Sequence, residues 1–169
     1  MADLIIDGFR FVEWPRGRRF LIIESDRLPE CVAYCREKQI QWLDVTPSHG
    51  YRRGDLDFLH DCTHATGIFL MSSFADMSGL YALQRLTWLS AICRHEIDFA
   101  AFPVLADVAT DWNPVIDDSL FGKSSLTRLW LRGYKSPSRT LQCLAALRNF
   151  SISAWCSAWC NVQSIRRRE

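Results

Sequence analysis

The chain has 169 residues, 49% of them hydrophobic and 23% charged, which is the balance of a folded globular protein and excludes a disordered chain. Its formal net charge is +1 at pH 7, and its arginines lie in short, scattered clusters. This charge pattern gives no reason to expect binding to nucleic acid or to a membrane surface.

Three further features of the sequence indicate a cytoplasmic protein. The first residues lack the basic and long apolar regions of a secretory signal. No apolar run approaches the roughly 18 residues that a membrane-spanning helix needs. The seven cysteines are odd in number and irregularly spaced, which favours reduced thiols over a disulfide framework.

The N-terminal part of the chain predicts short strands followed by a helix. Apolar, strand-like segments cover residues 4–6, 9–14 and 19–23, and turn sequences separate them at Asp7-Gly8 and at 15–17. A helix is predicted over 29–38, because Pro29 suits the first turn of a helix.

From residue 28 onward the sequence repeats an apolar pattern with the spacing Leu-x-x-Leu-x-Leu. Further apolar residues stand nine and six positions before the central residue in most units. The central residues are 43, 68, 89, 108, 129 and 150, at steps of 25, 21, 19, 21 and 21 residues. The end of the pattern alternates as in a short strand, and the earlier spacing of three suits a helix or 3₁₀ turn packed behind that strand.

This pattern resembles the leucine-rich-repeat family over roughly residues 28–155. The resemblance implies an α/β fold, a solenoid of about six units with a concave parallel sheet. Residues 1–27 are then predicted to form an N-terminal β-hairpin cap, and residues 156–169 an irregular C-terminal tail. Of the residues five places after each central position, only Asn113 fits the family pattern, so we expect an irregular, bent solenoid.

The C-terminal segment leaves three alternatives open. Residues 153–156 and 157–160 are near duplicates that each carry a tryptophan and a cysteine, and such side chains make a poor solvent-facing cap. The tail either folds back over the last unit, or self-associates with another copy, or ends an array that is shorter than its family's usual form.

The candidate binding site is the exposed face of the predicted parallel sheet. Large aromatic and Arg side chains there are the usual anchors of a protein interface. Two alternatives stand beside this interpretation: the charges can pair across strands, and the hairpin or the tail can cover the aromatics. The predicted partner-binding residues are Trp42, Asp44, Phe69, Met71, Trp88, Asp107, Asp111, Arg128, Trp130 and Arg132.

The sequence therefore predicts a non-catalytic module that binds another protein, with an immunity or inhibitor protein as one concrete version by fold analogy. No cofactor and no metal are expected. A second hypothesis is a metal- or thiol-dependent enzyme centred on His60, Cys62 and His64, although the repeat places Cys62 in the core. A third is a truncated scaffold fragment without independent activity.

Overall fold

The computed structural model of the chain describes residues 2–15, 17–72, 74–92, 96–112, 119–120, 123–133 and 152–155. Over these residues the chain forms one open, mostly parallel sheet with little helix, which confirms the expected α/β class. The nine strands lie side by side in chain order: β1 (Ala2–Ile6), β2 (Phe9–Trp14), β3 (Arg18–Ile22), β4 (Trp42–Val45), β5 (Gly67–Leu70), β6 (Trp88–Ala91), β7 (Asp107–Asp111), β8 (Arg128–Arg132) and β9 (Ile152–Trp155).

The first three strands are antiparallel and belong to the same sheet as the rest. Strand β1 joins β2 through the turn Asp7-Gly8, where both residues have positive φ, 53° and 80°. Two consecutive positive φ angles are those of the type I′ turn that suits a two-residue hairpin. Strand β3 then pairs in parallel with β4, so the N-terminal segment extends the sheet directly. The three predicted strands and the turn at Asp7-Gly8 are confirmed here.

The helix α1 (Leu28–Lys38) lies between β3 and β4 and confirms the predicted helix. Pro29 occupies its first turn, where a missing N–H costs no hydrogen bond. The helix ends at Gln39, which adopts a left-handed conformation (φ 51°) and donates its N–H to the Arg36 carbonyl oxygen. Its buried face packs against the sheet through Cys31 and Cys35, among others.

The parallel strands pair in the register that the repeat predicts, up to the last step. Leu43 pairs with Ile68, and the pairing continues through residues 89, 108 and 129. Strand β9 departs from the prediction, because Leu129 pairs with Ile152 and not with residue 150. The prediction is wrong there by two residues, which is one full period of a strand and leaves the alternation of faces unchanged.

A repeated pair of backbone hydrogen bonds marks the start of β5, β6, β7 and β8. The carbonyl oxygen two residues before the central position accepts two successive N–H groups from the next unit. At the first of these steps, the Gln41 oxygen accepts the N–H groups of Thr66 and Gly67, both at 2.9 Å. The oxygens of Thr66, Thr87 and Ala106 do the same at the following three steps.

Behind the sheet, the segments that precede β5 to β8 contain 3₁₀-type backbone hydrogen bonds. In one unit the N–H groups of Leu59, Cys62 and Ala65 each reach the carbonyl oxygen three residues earlier. The turns Asp57–Asp61, Ser78–Ala82 and Phe99–Ala101 belong to this layer. Nearly all landmark side chains of the repeat between residues 59 and 131 are buried against the sheet, and Lys123 is the half-buried exception. In the described ranges, no helix is long and apolar enough to cross a membrane.

Candidate functional site

The sheet face opposite the 3₁₀ turns carries the predicted partner-binding residues. In the N-terminal half of this face, five rings form what we call the aromatic cluster: Trp14, Phe20, Trp42, Phe69 and Trp88. The Trp14 ring lies 5.0 Å from the Phe69 ring and 5.8 Å from the Trp88 ring, measured between centroids. In a flat sheet β2 and β6 would stand about 19 Å apart, four strand spacings. The rings therefore lean toward one another over this face.

Gly67 makes room for the aromatic cluster. It stands on β5 between Trp42 and Trp88, and the Trp42 indole lies across it to reach Trp88 at a centroid distance of 5.9 Å. A Cβ atom at residue 67 would lie 2.0 Å from the Trp42 Cε3 atom. Only a residue without a side chain allows this contact, so glycine is required at this position while Trp42 keeps its place.

Two of the aromatic residues predicted to be exposed are buried, so that expectation is wrong for them. Phe69 is 6% exposed and Trp88 is 7% exposed. Trp14, at the end of β2, folds over both rings, as in the alternative in which the hairpin covers the aromatics. Trp14 was missed as a member of this face, although the alternation Val12, Trp14 in the sequence places both on one side of a strand.

Asp44 is also buried, which contradicts its prediction as an exposed contact. Its Oδ1 atom accepts a hydrogen bond from Thr46 Oγ1 at 2.9 Å, and its Oδ2 atom lies 3.1 Å from His49 Nδ1. Burial raises the pKa of the Asp44 carboxyl, while Thr46 and His49 oppose that effect. The carboxylate therefore stabilises the turn after β4 and is not presented to a partner.

The four predicted charges on β7 and β8 form two ion pairs across the strands. Asp107 pairs with Arg128, and Asp111 pairs with Arg132. Arg128 Nε donates a hydrogen bond to Asp107 Oδ1 at 2.8 Å, and Arg132 Nη2 donates one to Asp111 Oδ2 at 2.7 Å. Each pair also has a second, parallel hydrogen bond. The carboxylate hydrogen bonds raise the pKa of both guanidinium groups. The alternative of cross-strand pairing is thus confirmed, and the expectation that Asp107 is exposed is wrong, because it is only 5% exposed.

The aromatic residue between these pairs remains partly exposed. Trp130 stands on β8 between Arg128 and Arg132, and Ala109 lies beside it on β7 with only a methyl group. The Arg128 guanidinium lies over the Trp130 ring at 5.9 Å. We call this region the β7–β8 patch, comprising Asp107, Ala109, Asp111, Arg128, Trp130 and Arg132. Met71, after β5, is another exposed side chain of the predicted set, at 44%.

The structure does not bring His60, Cys62 and His64 into one site. Cys62 is buried in the core, His60 is exposed, and His64 Nε2 lies 3.0 Å from the Cys35 carbonyl oxygen and 3.5 Å from its Sγ. A hydrogen bond between the two thiols shifts both groups: it raises the pKa of Cys35, together with burial, and it lowers the pKa of Cys62, which burial opposes. Among the residues described, no three His, Cys, Asp or Glu side chains are placed to hold a metal ion.

A search of the chain against protein-family models, curated proteins and solved structures found no match.

Proposed function

We propose that the chain is a leucine-rich-repeat-type solenoid that binds another protein through the β7–β8 patch of its concave face and has no catalytic role. The solenoid part of the proposal is supported by the repeated strand register, the repeated two-amide contact at the starts of β5 to β8 and the 3₁₀ layer behind the sheet. Each of these features recurs at the step of the sequence repeat, as expected when every unit stacks on its neighbour.

One observation carries the binding proposal: a partly exposed Trp130 is held between two paired arginines on regular strands. Trp and Arg are the residues most enriched at energetically important interface positions. Side chains on strands are also held more rigidly than side chains on loops, which reduces the entropy lost on binding. The aromatic cluster differs from this patch, because its Phe20, Phe69 and Trp88 rings are buried and Trp14 and Trp42 are only partly exposed above them.

An immunity or inhibitor protein remains the concrete version of this proposal, and it rests on fold analogy. A cytoplasmic location is part of the proposal as well. It is supported by Cys31, Cys35 and Cys62, which are free thiols buried in the core rather than disulfide partners. Self-association through residues 156–169 stays a prediction, because that segment lies outside the described residues.

The proposal is tested by capturing the partner from native host extract with tagged protein. We compare the wild type with Trp130→Ala and with Val104→Ser, a matched control that changes an exposed apolar residue away from the patch. Trp130→Ala should lose a partner that the wild type and Val104→Ser both retain, and circular dichroism should show all three folded. Equal capture by Trp130→Ala and the wild type would contradict the proposed site.

A further inference from the structure

We infer that the β7–β8 patch recognises an extended peptide segment in which two carboxylates, four residues apart, flank a large apolar side chain. The inference rests on the proposed function, since it names the chemistry of the partner at that same site. Arg128 and Arg132 supply the contacts to the carboxylates, and Trp130 with Ala109 supplies the contact to the apolar side chain.

Each arginine of the patch retains a free hydrogen-bonding edge. A guanidinium has five N–H donors and can hold a carboxylate either through Nε and Nη2 or through its two Nη atoms. Arg128 and Arg132 both use Nε and Nη2 for their aspartate. Within the part of the chain that the structure describes, no acceptor occupies Nη1 of either residue. Among the described residues, the end-on edge of both guanidinium groups thus has no partner that an incoming acceptor would have to displace.

The arginines, and not the aspartates, are the outer members of the two ion pairs. The Arg132 side chain is 52% exposed and that of Asp111 is 22% exposed. The corresponding values are 30% for Arg128 and 8% for Asp107. An approaching segment therefore meets guanidinium groups whose orientation the carboxylates beneath them have already fixed. A fixed planar fork loses less entropy on binding a carboxylate than a mobile one.

The spacing of the patch fits an extended segment. Arg128 and Arg132 are four residues apart on one strand, a distance of about 13 Å at 3.3 Å per residue. Carboxylates on residues i and i+4 of an extended peptide have the same separation. The side chain of residue i+2 then lies midway, where Trp130 offers its ring and Ala109 leaves the adjacent strand without a bulky side chain. A lysine-bearing segment would instead place like charges against the arginines.

The inference is tested with three fluorescent peptides and the full-length protein, by fluorescence anisotropy. The peptides are Gly-Glu-Ser-Phe-Ser-Glu-Gly and its versions with both glutamates changed to glutamine or to lysine. The glutamate peptide should bind at least about tenfold more tightly than either other peptide, because only it forms charge-assisted pairs. Binding of the glutamine or lysine peptide with equal affinity, or no binding of the glutamate peptide at about 1 mM, overturns the inference.

Two variants distinguish recognition by an oriented guanidinium group from simple attraction to positive charge. Arg132→Lys keeps the positive charge but loses the planar guanidinium, and it should weaken binding of the glutamate peptide at least about fivefold. Asp111→Asn removes a negative charge near the site, so simple charge attraction predicts tighter binding. If Asp111 instead positions Arg132, Asp111→Asn weakens binding although the patch becomes more positive. Tighter binding by Asp111→Asn therefore overturns the positioning role.

Failure of this inference is distinguishable from failure of the proposed function. If the lysine peptide binds best and Trp130→Ala abolishes that binding, the patch binds peptides but the carboxylate specificity is wrong. If partner capture from host extract is unaffected by Trp130→Ala, the proposed site itself is wrong, whatever the peptides show.

Discussion

Replacement of Trp88 by alanine tests whether the aromatic cluster is a core or a surface. Trp88 is 7% exposed, and its ring lies within 6 Å of three others, those of Trp14, Phe20 and Trp42. An exposed tryptophan on the same face would make few such contacts. The two interpretations therefore predict very different losses of stability.

The expected loss follows from the burial of the side chain. Replacing a buried Trp or Phe by Ala removes its transfer free energy and leaves a cavity, at a cost of about 3–5 kcal/mol. We place Trp88→Ala in that range, because its edge-to-face ring contacts add to the burial. At about 2–4 °C per kcal/mol for a chain of this size, the melting temperature should fall by roughly 6–20 °C.

The measurement is equilibrium unfolding in urea, followed by far-UV circular dichroism, with Trp130→Ala as the control. Trp130 is partly exposed, so its replacement should cost about 1 kcal/mol or less. A loss for Trp88→Ala as small as that of Trp130→Ala would refute the burial of Trp88. The aromatic cluster would then be exposed to solvent, and the covering role of Trp14 would be wrong.

Two further predictions concern a glycine and a buried carboxyl. Gly79→Ala should lower the free energy of unfolding by about 1–3 kcal/mol, because its Cβ would lie 2.1 Å from the Leu56 carbonyl oxygen. The matched control is Gly54→Ala, whose Cβ would meet nothing closer than 3.5 Å and which should therefore change the stability little. Burial raises the folded-state pKa of Asp44, so the folded protein takes up this proton before the unfolded chain as the pH falls. The stability of the wild type relative to Asp44→Asn should therefore rise between pH 7 and pH 4 in urea titrations, and a fall would contradict the raised pKa.

The repeat register could be predicted from the sequence because it depends on local spacing. Apolar residues three apart that lead into a two-residue alternation define which side chains face the core, and residues 68, 89, 108 and 129 stand where that pattern puts them. The last unit could not be placed as well. Both Phe150 and Ile152 satisfy the alternation, so the pattern alone does not choose between registers two residues apart.

The exposure of the aromatic residues could not be predicted in the same way. Alternation along a strand tells which face a side chain occupies, but not what lies over that face. The cover is Trp14, which is remote in sequence from Phe69 and Trp88 and contacts them only in the folded sheet. The ion pairs were accessible to sequence reasoning, since equal spacing of charges on two neighbouring strands is itself a local pattern.

The two-amide contact at the starts of β5 to β8 affects how the chain tolerates changes in length. A single carbonyl, such as that of Thr66, fixes where the next strand begins, whatever number of residues the chain uses to arrive there. The number of residues between successive strands can therefore vary, and the steps between central residues are indeed unequal, at 25, 21, 19 and 21 residues. A change in the length of such a loop on the far side of the sheet therefore need not shift the strand register on the face that carries Trp130.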